Sequence, residues 1–180
     1  MARKKPLVGI LMGSPSDRAV MDEACQVLDR FEVPWELKIS SAHRSPDRTL
    51  AYARQAAQKG LEVLVAGAGW AAHLAGVVAS STILPVIGVP IESSSLQGLD
   101  ALLATVQMPP GVPVATMAIG KGGARNAGVL AVQILALKHP ELRERLSLFK
   151  EELAEEVEQR DQALQESLRS EAGLKGSEPG

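Results

Sequence analysis

The sequence predicts an α/β fold, a parallel sheet with helices on both faces, followed by a C-terminal helical extension. Two observations predict it. Between residues 7 and 137, short apolar runs of strand length alternate with longer stretches of helical periodicity. The runs are continuous rather than apolar-polar alternating, as strands covered on both faces are. The crossovers are expected to be right-handed. In such sheets ligands bind beyond the carboxyl ends of the strands, so functional residues are expected just after each one.

The elements follow in order. Leu7 to Met12 reads as the first strand. Ser16 to Phe31 reads as a helix, with apolar positions at Val20, Met21, Ala24, Val27, Leu28 and Phe31. Trp35 to Ile39 is the second strand. Pro46 to Lys59 is a helix that begins on a favoured first-turn proline and stops at Gly60. Glu62 to Ala66 is the third strand, and Ala71 to Ser80 a small-residue helix. Leu84 to Val89 is the fourth strand, Leu99 to Gln107 a helix, and Val114 to Ile119 the fifth strand. Ala124 to Leu137 is an Ala-rich apolar helix.

The last 40 residues differ in kind. Residues 141–171 hold ten acids and five bases, with Leu142, Leu146, Phe149, Leu153, Val157, Leu164 and Leu168 forming a narrow apolar stripe. Residues 1–138 are therefore expected to form the α/β domain. Residues 139–171 are expected to form a helical arm, lying on its own domain or packing on a neighbouring subunit, and 172–180 a disordered tail.

Composition removes several function classes. Lys and Arg number 19 against 21 Asp and Glu, a net charge of −2, which argues against an electrostatically driven nucleic-acid binder. Five aromatic residues are too few for a base-stacking surface. Cys25 is the only cysteine, which excludes an intramolecular disulfide and a cysteine-based zinc site, and its mid-helix position reads as packing. No apolar run reaches the roughly 18 residues that a membrane span needs. The basic start, Met1 to Pro6, leads into a strand-like run rather than a signal-peptide core. A soluble cytoplasmic protein without membrane or nucleic-acid partners is expected.

The loops after the strands carry the polar chemistry. Gly13-Ser-Pro-Ser-Asp17 leads into a helix, whose free N–H groups can hold a phosphate with help from Ser14 and Ser16. Asp17 repels phosphate and suits a sugar hydroxyl; the same residues also fit simple helix capping. The loop is not a Walker loop, since the Gly-Lys-Ser/Thr ending is absent. Ser40-Ser-Ala-His-Arg-Ser-Pro46 places a proton carrier, His43, beside a planar phosphate fork, Arg44.

Gly67-Ala-Gly-Trp-Ala-Ala-His73 fits G-x-G-x-x-A, with Glu92 some 20 residues on. It follows the third strand instead of the first, however, and Trp70 sits where a pyrophosphate needs close backbone approach. A loop that hugs a small planar ligand near His73 is the better reading. His43 and His73 as metal ligands lack an acidic partner at ligand spacing. His139 marks a helix junction. Pro90 to Gly98 and Gly120 to Asn126 lie on the same edge and can line a site.

Taken together, the loops resemble those of the class I N5-carboxyaminoimidazole ribonucleotide mutases, the catalytic subunits of phosphoribosylaminoimidazole carboxylase in purine biosynthesis. The matching stretches are MGSPSD (12–17), SAHRSPD (41–47), AGAGWAAHLAG (66–76), LPVIGVP (84–90), VQMPPGVPVAT (106–116) and AIGKGGARNAG (118–128). The resemblance implies a flavodoxin-like three-layer fold and a homo-octamer. It also implies transfer of a carboxylate from the exocyclic nitrogen to C4 of the imidazole through transient CO2.

By position, the resemblance makes His43 the general acid/base. It places Ser14, Asp17 and Arg44 at the ribose phosphate with Ser41 as a helper, and Gly69, His73 and Leu74 beside the base and CO2. It implies no cofactor and no metal, and a functional coupling to the ATP-dependent carboxyaminoimidazole ribonucleotide synthase. The chain departs from the family's usual GAGGAAHLPG at Trp70 and Ala75, from SDW at Arg18 and from SAHRTP at Ser45. Three competing readings stand beside this one. One is direct carboxylation of aminoimidazole ribonucleotide by CO2, although Arg44 and residues 71–74 favour the class I pattern. The others are a nucleotide-binding paralogue silenced by Trp70, and a dinucleotide-dependent oxidoreductase.

Overall fold

The computed structural model of the chain describes residues 5–175, with side chains to residue 171. Five strands form one sheet: β1 Val8–Met12, β2 Trp35–Ile39, β3 Val63–Ala68, β4 Val86–Pro90 and β5 Ala115–Thr116. All neighbours pair in parallel, in the order β2-β1-β3-β4-β5. The helices are α1 Arg18–Arg30, α2 Pro46–Gln55, α3 Leu74–Ala79, α4 Leu99–Val106, α5 Gly120–Leu135 and α6 Pro140–Lys175. This is the flavodoxin-like arrangement of three layers.

Strand alternation sorts the core into two halves. Leu11, Leu64, Ala66 and Val86 point to one face, where they pack with Tyr52, Ala53 and Ala56 of α2 and its turn and with Leu74, Ala75 and Val78 of α3. On the other face lie Val8, Ile10, Val63, Val65 and Ile87, all fully or almost fully buried, beneath α1 and α5, which pack on each other and on the sheet. Glycines sit where helices press closest. A Cβ on Gly9 would strike the Tyr52 hydroxyl, and one on Gly67 would strike the Met21 sulfur.

Element boundaries move for identifiable reasons. A 3-10 turn over Pro15–Asp17 takes up the first residues expected in α1. Helix α2 stops at Gln55, and turns closed by Lys59 and Gly60 N–H bonds to Gln55 and Ala57 replace its last stretch. Helix α3 cannot begin at Ala71, because Trp70 and Ala72 both have positive φ. Strand β5 keeps only two residues at the open edge of the sheet, where it has a single neighbour. Helix α5 starts four residues before the expected Ala124 and absorbs three glycines. Glycine is a poor helix former, but position 123 requires it, since a Cβ there would run into the Ala118 carbonyl.

The chain divides into two compact units, residues 1–142 and 143–180. The first contains the sheet; its last residues include the junction where Glu62 binds Lys138 (2.6 Å) and His139 (3.2 Å). The second is helix throughout its described length, to Lys175. Along it Leu148, Leu153, Val157, Leu164 and Leu168 are exposed. The expected start of the tail at 172 falls within that helix, and 176–180 lie outside the described residues.

Candidate functional site

The sheet order fixes where the site lies. From β1 the chain moves outward to β2 and then returns to β3 on the other side of β1, so the carboxyl ends of β1 and β3 face a crevice that no crossover covers. Three loops meet there, after β1, β2 and β3, joined by the start of the loop after β4. They enclose a cleft of about 770 Å³.

The loop after β1 is a capping box. Ser14 accepts at Oγ from the Ser16 N–H (3.4 Å), while its own N–H donates to Asp17 Oδ2 (3.0 Å). The Ser16 hydroxyl donates to Ser14 Oγ (2.9 Å). Asp17 is only 5% exposed. Burial pushes its carboxyl above the ordinary value of 3.8, against the opposing pull of the Ser14, Ser16 and Gly13 hydrogen bonds and the Arg44 charge. The capping role considered for Ser16 or Asp17 falls to the Ser14–Asp17 pair.

The loop after β2 presents His43 and Arg44 outward on a tied base. The Arg44 N–H donates to Ser41 Oγ (3.1 Å), and the Ser41 N–H donates to Ser45 Oγ (3.1 Å). Buried Ser40 and Thr49 share a hydrogen bond of 2.7 Å beneath it. The Arg44 guanidinium reaches across to the Gly13 carbonyl (3.1 Å), which joins the loops after β1 and β2 into one wall. Ser41 is thereby a brace of the Arg44 backbone as well as a lining residue.

The opposite wall comes from the loop after β3. His73 precedes α3 and meets His43 across the cleft, Nδ1 to Nε2 at 2.8 Å, with the rings nearly edge to face. One facing nitrogen carries a proton and the other accepts it, so the pair can hold and release a proton at that point. Between Gly69 and His73 the backbone is strained. Trp70 has φ +54° and Ala72 +27°, and the turn closes with the Ala72 N–H on the Gly69 carbonyl (3.0 Å). A left-handed non-glycine residue costs about 1–2 kcal/mol. Gly69 permits the loop's approach to its neighbour, since a Cβ there would collide with the Ser93 hydroxyl. The Trp70 side chain is 65% exposed, and Ala72 is buried.

All eight expected site residues, Ser14, Asp17, Ser41, His43, Arg44, Gly69, His73 and Leu74, line this one cleft. So do Ile91 and Ser93, from a loop that the sequence offers only as a whole, Glu92, singled out there only for the dinucleotide pattern, and Val20, an apolar position of the helical periodicity. The Gly120–Asn126 segment is not among the lining residues; it forms the first turns of α5. Among the described residues no group of three or more His, Cys, Asp or Glu could hold a metal ion. Cys25 lies buried in α1, where burial raises its thiol to about 11. His139 binds Glu62 at the α5–α6 junction. No helix among the described residues is long and apolar enough to cross a membrane.

The cleft thus combines an anion-compatible wall, a histidine pair joined by a hydrogen bond and a largely apolar stretch of Trp70, Ala71, Ala72 and Leu74, which suits a phosphorylated ligand with a small ring. Comparison with known proteins agrees with that chemistry. A family model described as AIR carboxylase matches residues 7–156. The N5-carboxyaminoimidazole ribonucleotide mutase of Pyrococcus horikoshii is 53% identical over 166 residues, 92% of this chain and 93% of that one. That of Thermotoga maritima is 52% identical over 161 residues, covering 89% and 93%. That of Bacillus subtilis is 53% identical over 156 residues, covering 87% and 90%. The crystal structure of Treponema denticola PurE superposes with a TM-score of 0.79 at 27% identity, over 88% of this chain and 98% of that one.

Proposed function

The chain belongs to the AIR carboxylase family, and we propose that it acts as an N5-carboxyaminoimidazole ribonucleotide mutase, interconverting that ribonucleotide and its 4-carboxy isomer in purine biosynthesis. It is then an isomerase. The observation that carries this reading is the His43–His73 pair, 2.8 Å apart, in the cleft that also holds Ser14, Asp17 and Arg44.

In the proposed cycle the ribose phosphate is held by Arg44 and the N–H and hydroxyl groups of the Ser14 loop. His43 gives its proton to the exocyclic nitrogen as the C–N bond to the carboxylate breaks, and CO2 is set free in the cleft. The bonding electrons stay on nitrogen. The electron-rich C4 of the ring then attacks CO2, and the new C–C bond leaves C4 with a surplus proton. His43, now neutral, takes that proton and returns to its starting state. Gly69, His73 and Leu74 border the ring and the CO2. The cycle is proton-neutral and draws on no cofactor.

The test is turnover. N5-carboxyaminoimidazole ribonucleotide, supplied without ATP, is expected to be converted to the 4-carboxy product; its persistence with folded protein overturns the reading. Aminoimidazole ribonucleotide with bicarbonate tests direct carboxylation in parallel. The strained, bulky Trp70 favours one alternative, a binding protein without turnover, which predicts ribonucleotide binding by calorimetry and no product.

The exposed stripe of α6 supports a homo-oligomer, and by family resemblance an octamer, in which the arm packs on another subunit. Removal of residues 143–180 is expected to yield a smaller assembly in a sizing measurement; an unchanged assembly removes the arm from this role. We assign the protein to the cytoplasm and couple it functionally to the synthase that makes its substrate.

A further inference from the structure

Trp70 is the feature that the cycle above leaves unused. Its indole lines the cleft, yet it is 65% exposed and sits on a left-handed backbone that disfavours any bulky side chain. Core packing does not explain an indole held there, because most of its surface meets no protein atom. Along the same loop Ala71, Ala72 and Leu74 also face the cleft and offer no ring and no charge. The ligand's phosphate and ribose have polar partners on the opposite wall, in Ser14, Asp17 and Arg44. Of the rings that line the cleft, the His43 and His73 imidazoles are engaged with each other edge to face, and the Trp70 indole is left for the flat part of the ligand.

We propose that Trp70 is a ligand-contact residue that stacks on the imidazole ring of the bound ribonucleotide and selects ligands carrying a flat heterocycle. This rests on the ribonucleotide reading of the cleft. Binding then covers the indole, excludes water from the ring face, and offsets the backbone strain that the free protein carries. Trp70 contributes to recognition, whereas proton transfer stays with His43.

The experiment uses intrinsic fluorescence and binding together. The other tryptophan, Trp35, donates to Asp29 Oδ1 (2.8 Å) and does not line the cleft, so Trp35→Phe leaves Trp70 as the single reporter. Titration of that variant with aminoimidazole ribonucleotide is expected to shift or quench the emission, whereas ribose 5-phosphate leaves it nearly unchanged. In the otherwise intact chain, Trp70→Gly is expected to weaken aminoimidazole ribonucleotide binding about tenfold. Ribose 5-phosphate binding should hold, and Trp70→Phe should restore most of the loss. KM should rise with little change in kcat. The melting temperature should not fall, since glycine accepts the left-handed backbone.

Equal loss for both ligands, no loss for either, or an emission that ignores the ribonucleotide overturns the proposal. So does a smaller assembly of Trp70→Gly in a sizing measurement, which would make the indole an intersubunit contact. The binding arms need no turnover. Their failure is therefore distinct from failure of the mutase reading, which shows as absent product in the unmodified protein.

Discussion

The two walls of the cleft are held differently. The loops after β1 and β2 are tied within themselves and to each other by hydrogen bonds: the local Ser14–Asp17 box and Ser41 brace, and the Arg44 reach across to the Gly13 carbonyl. The loop after β3 has a single turn bond, from the Ala72 N–H to the Gly69 carbonyl, and carries two non-glycine residues at positive φ. A wall fixed by internal hydrogen bonds is ordered before any ligand arrives, so little ordering entropy is lost when an anion binds. A strained wall can change its side chain without disturbing the first. Under the proposed function the division separates two tasks, anchoring on one side and ring recognition on the other, with the histidine pair between them.

That separation is most open to test at His43. His43→Asn is expected to lower turnover by about 10²–10⁴-fold, the range for loss of a general acid/base. Its melting temperature should stay near that of the parent, because the side chain is exposed. Retained turnover would move the proton chemistry to His73 and the opposite wall. Arg44→Ala is expected next in size. Loss of a hydrogen-bonding charge to phosphate costs about 1.5–3 kcal/mol, so KM for the ribonucleotide should rise on the order of tenfold to a hundredfold. The corresponding nucleoside, which lacks the phosphate, should bind with unchanged affinity; an equal loss there would assign Arg44 to the ring or ribose. The Trp70→Gly effect, about tenfold and opposite in ligand preference, completes the contrast.

The first wall was legible in the sequence and the second only in part, for a physical reason. A helix-capping cluster of serines and Asp17, although not which of them caps, and a histidine-arginine pair at a strand end are local patterns, written within a few residues of chain. Gly69 is different. Its role depends on Ser93, 24 residues away, and no spacing rule connects them. Ser14, Asp17, His43, Arg44 and His73 were readable because open parallel sheets collect their loops at one edge, whereas Ser41, Gly69 and Leu74 came only with the family resemblance. Val20 was not readable, because a residue that serves a helix's apolar face also meets the cleft. Gly120 to Gly123 read as a loop from their propensity, yet they form the first turn of α5; the close approach of Gly123 to the Ala118 backbone, which leaves no room for a Cβ, is not visible in composition. Likewise β5 was expected to run six residues, but its apolar content says nothing about how many partners an edge strand finds.

The smallest expected effect concerns the anchoring wall alone. Burial holds the Asp17 carboxyl above its ordinary 3.8, so between those two values the folded state binds more protons than the unfolded state. Stability from this group is therefore greatest in acid and declines as pH rises above 3.8 through the folded-state value. Glu62 behaves in the opposite sense. Burial raises its carboxyl, but the hydrogen bonds and charges of Lys138 and His139 outweigh that, and the net value lies below the ordinary 4.5. Its contribution is full above 4.5 and fades as pH falls. Asp17→Asn keeps an acceptor for the Ser14 N–H and removes the titration. The melting temperature of the parent minus that of Asp17→Asn should fall from acid to neutral pH, while the same difference for Glu62→Gln should rise. Parallel melting curves for Asp17→Asn and the parent would mean that Asp17 is fully solvated, and that the first wall is less rigidly tied than its hydrogen bonds imply.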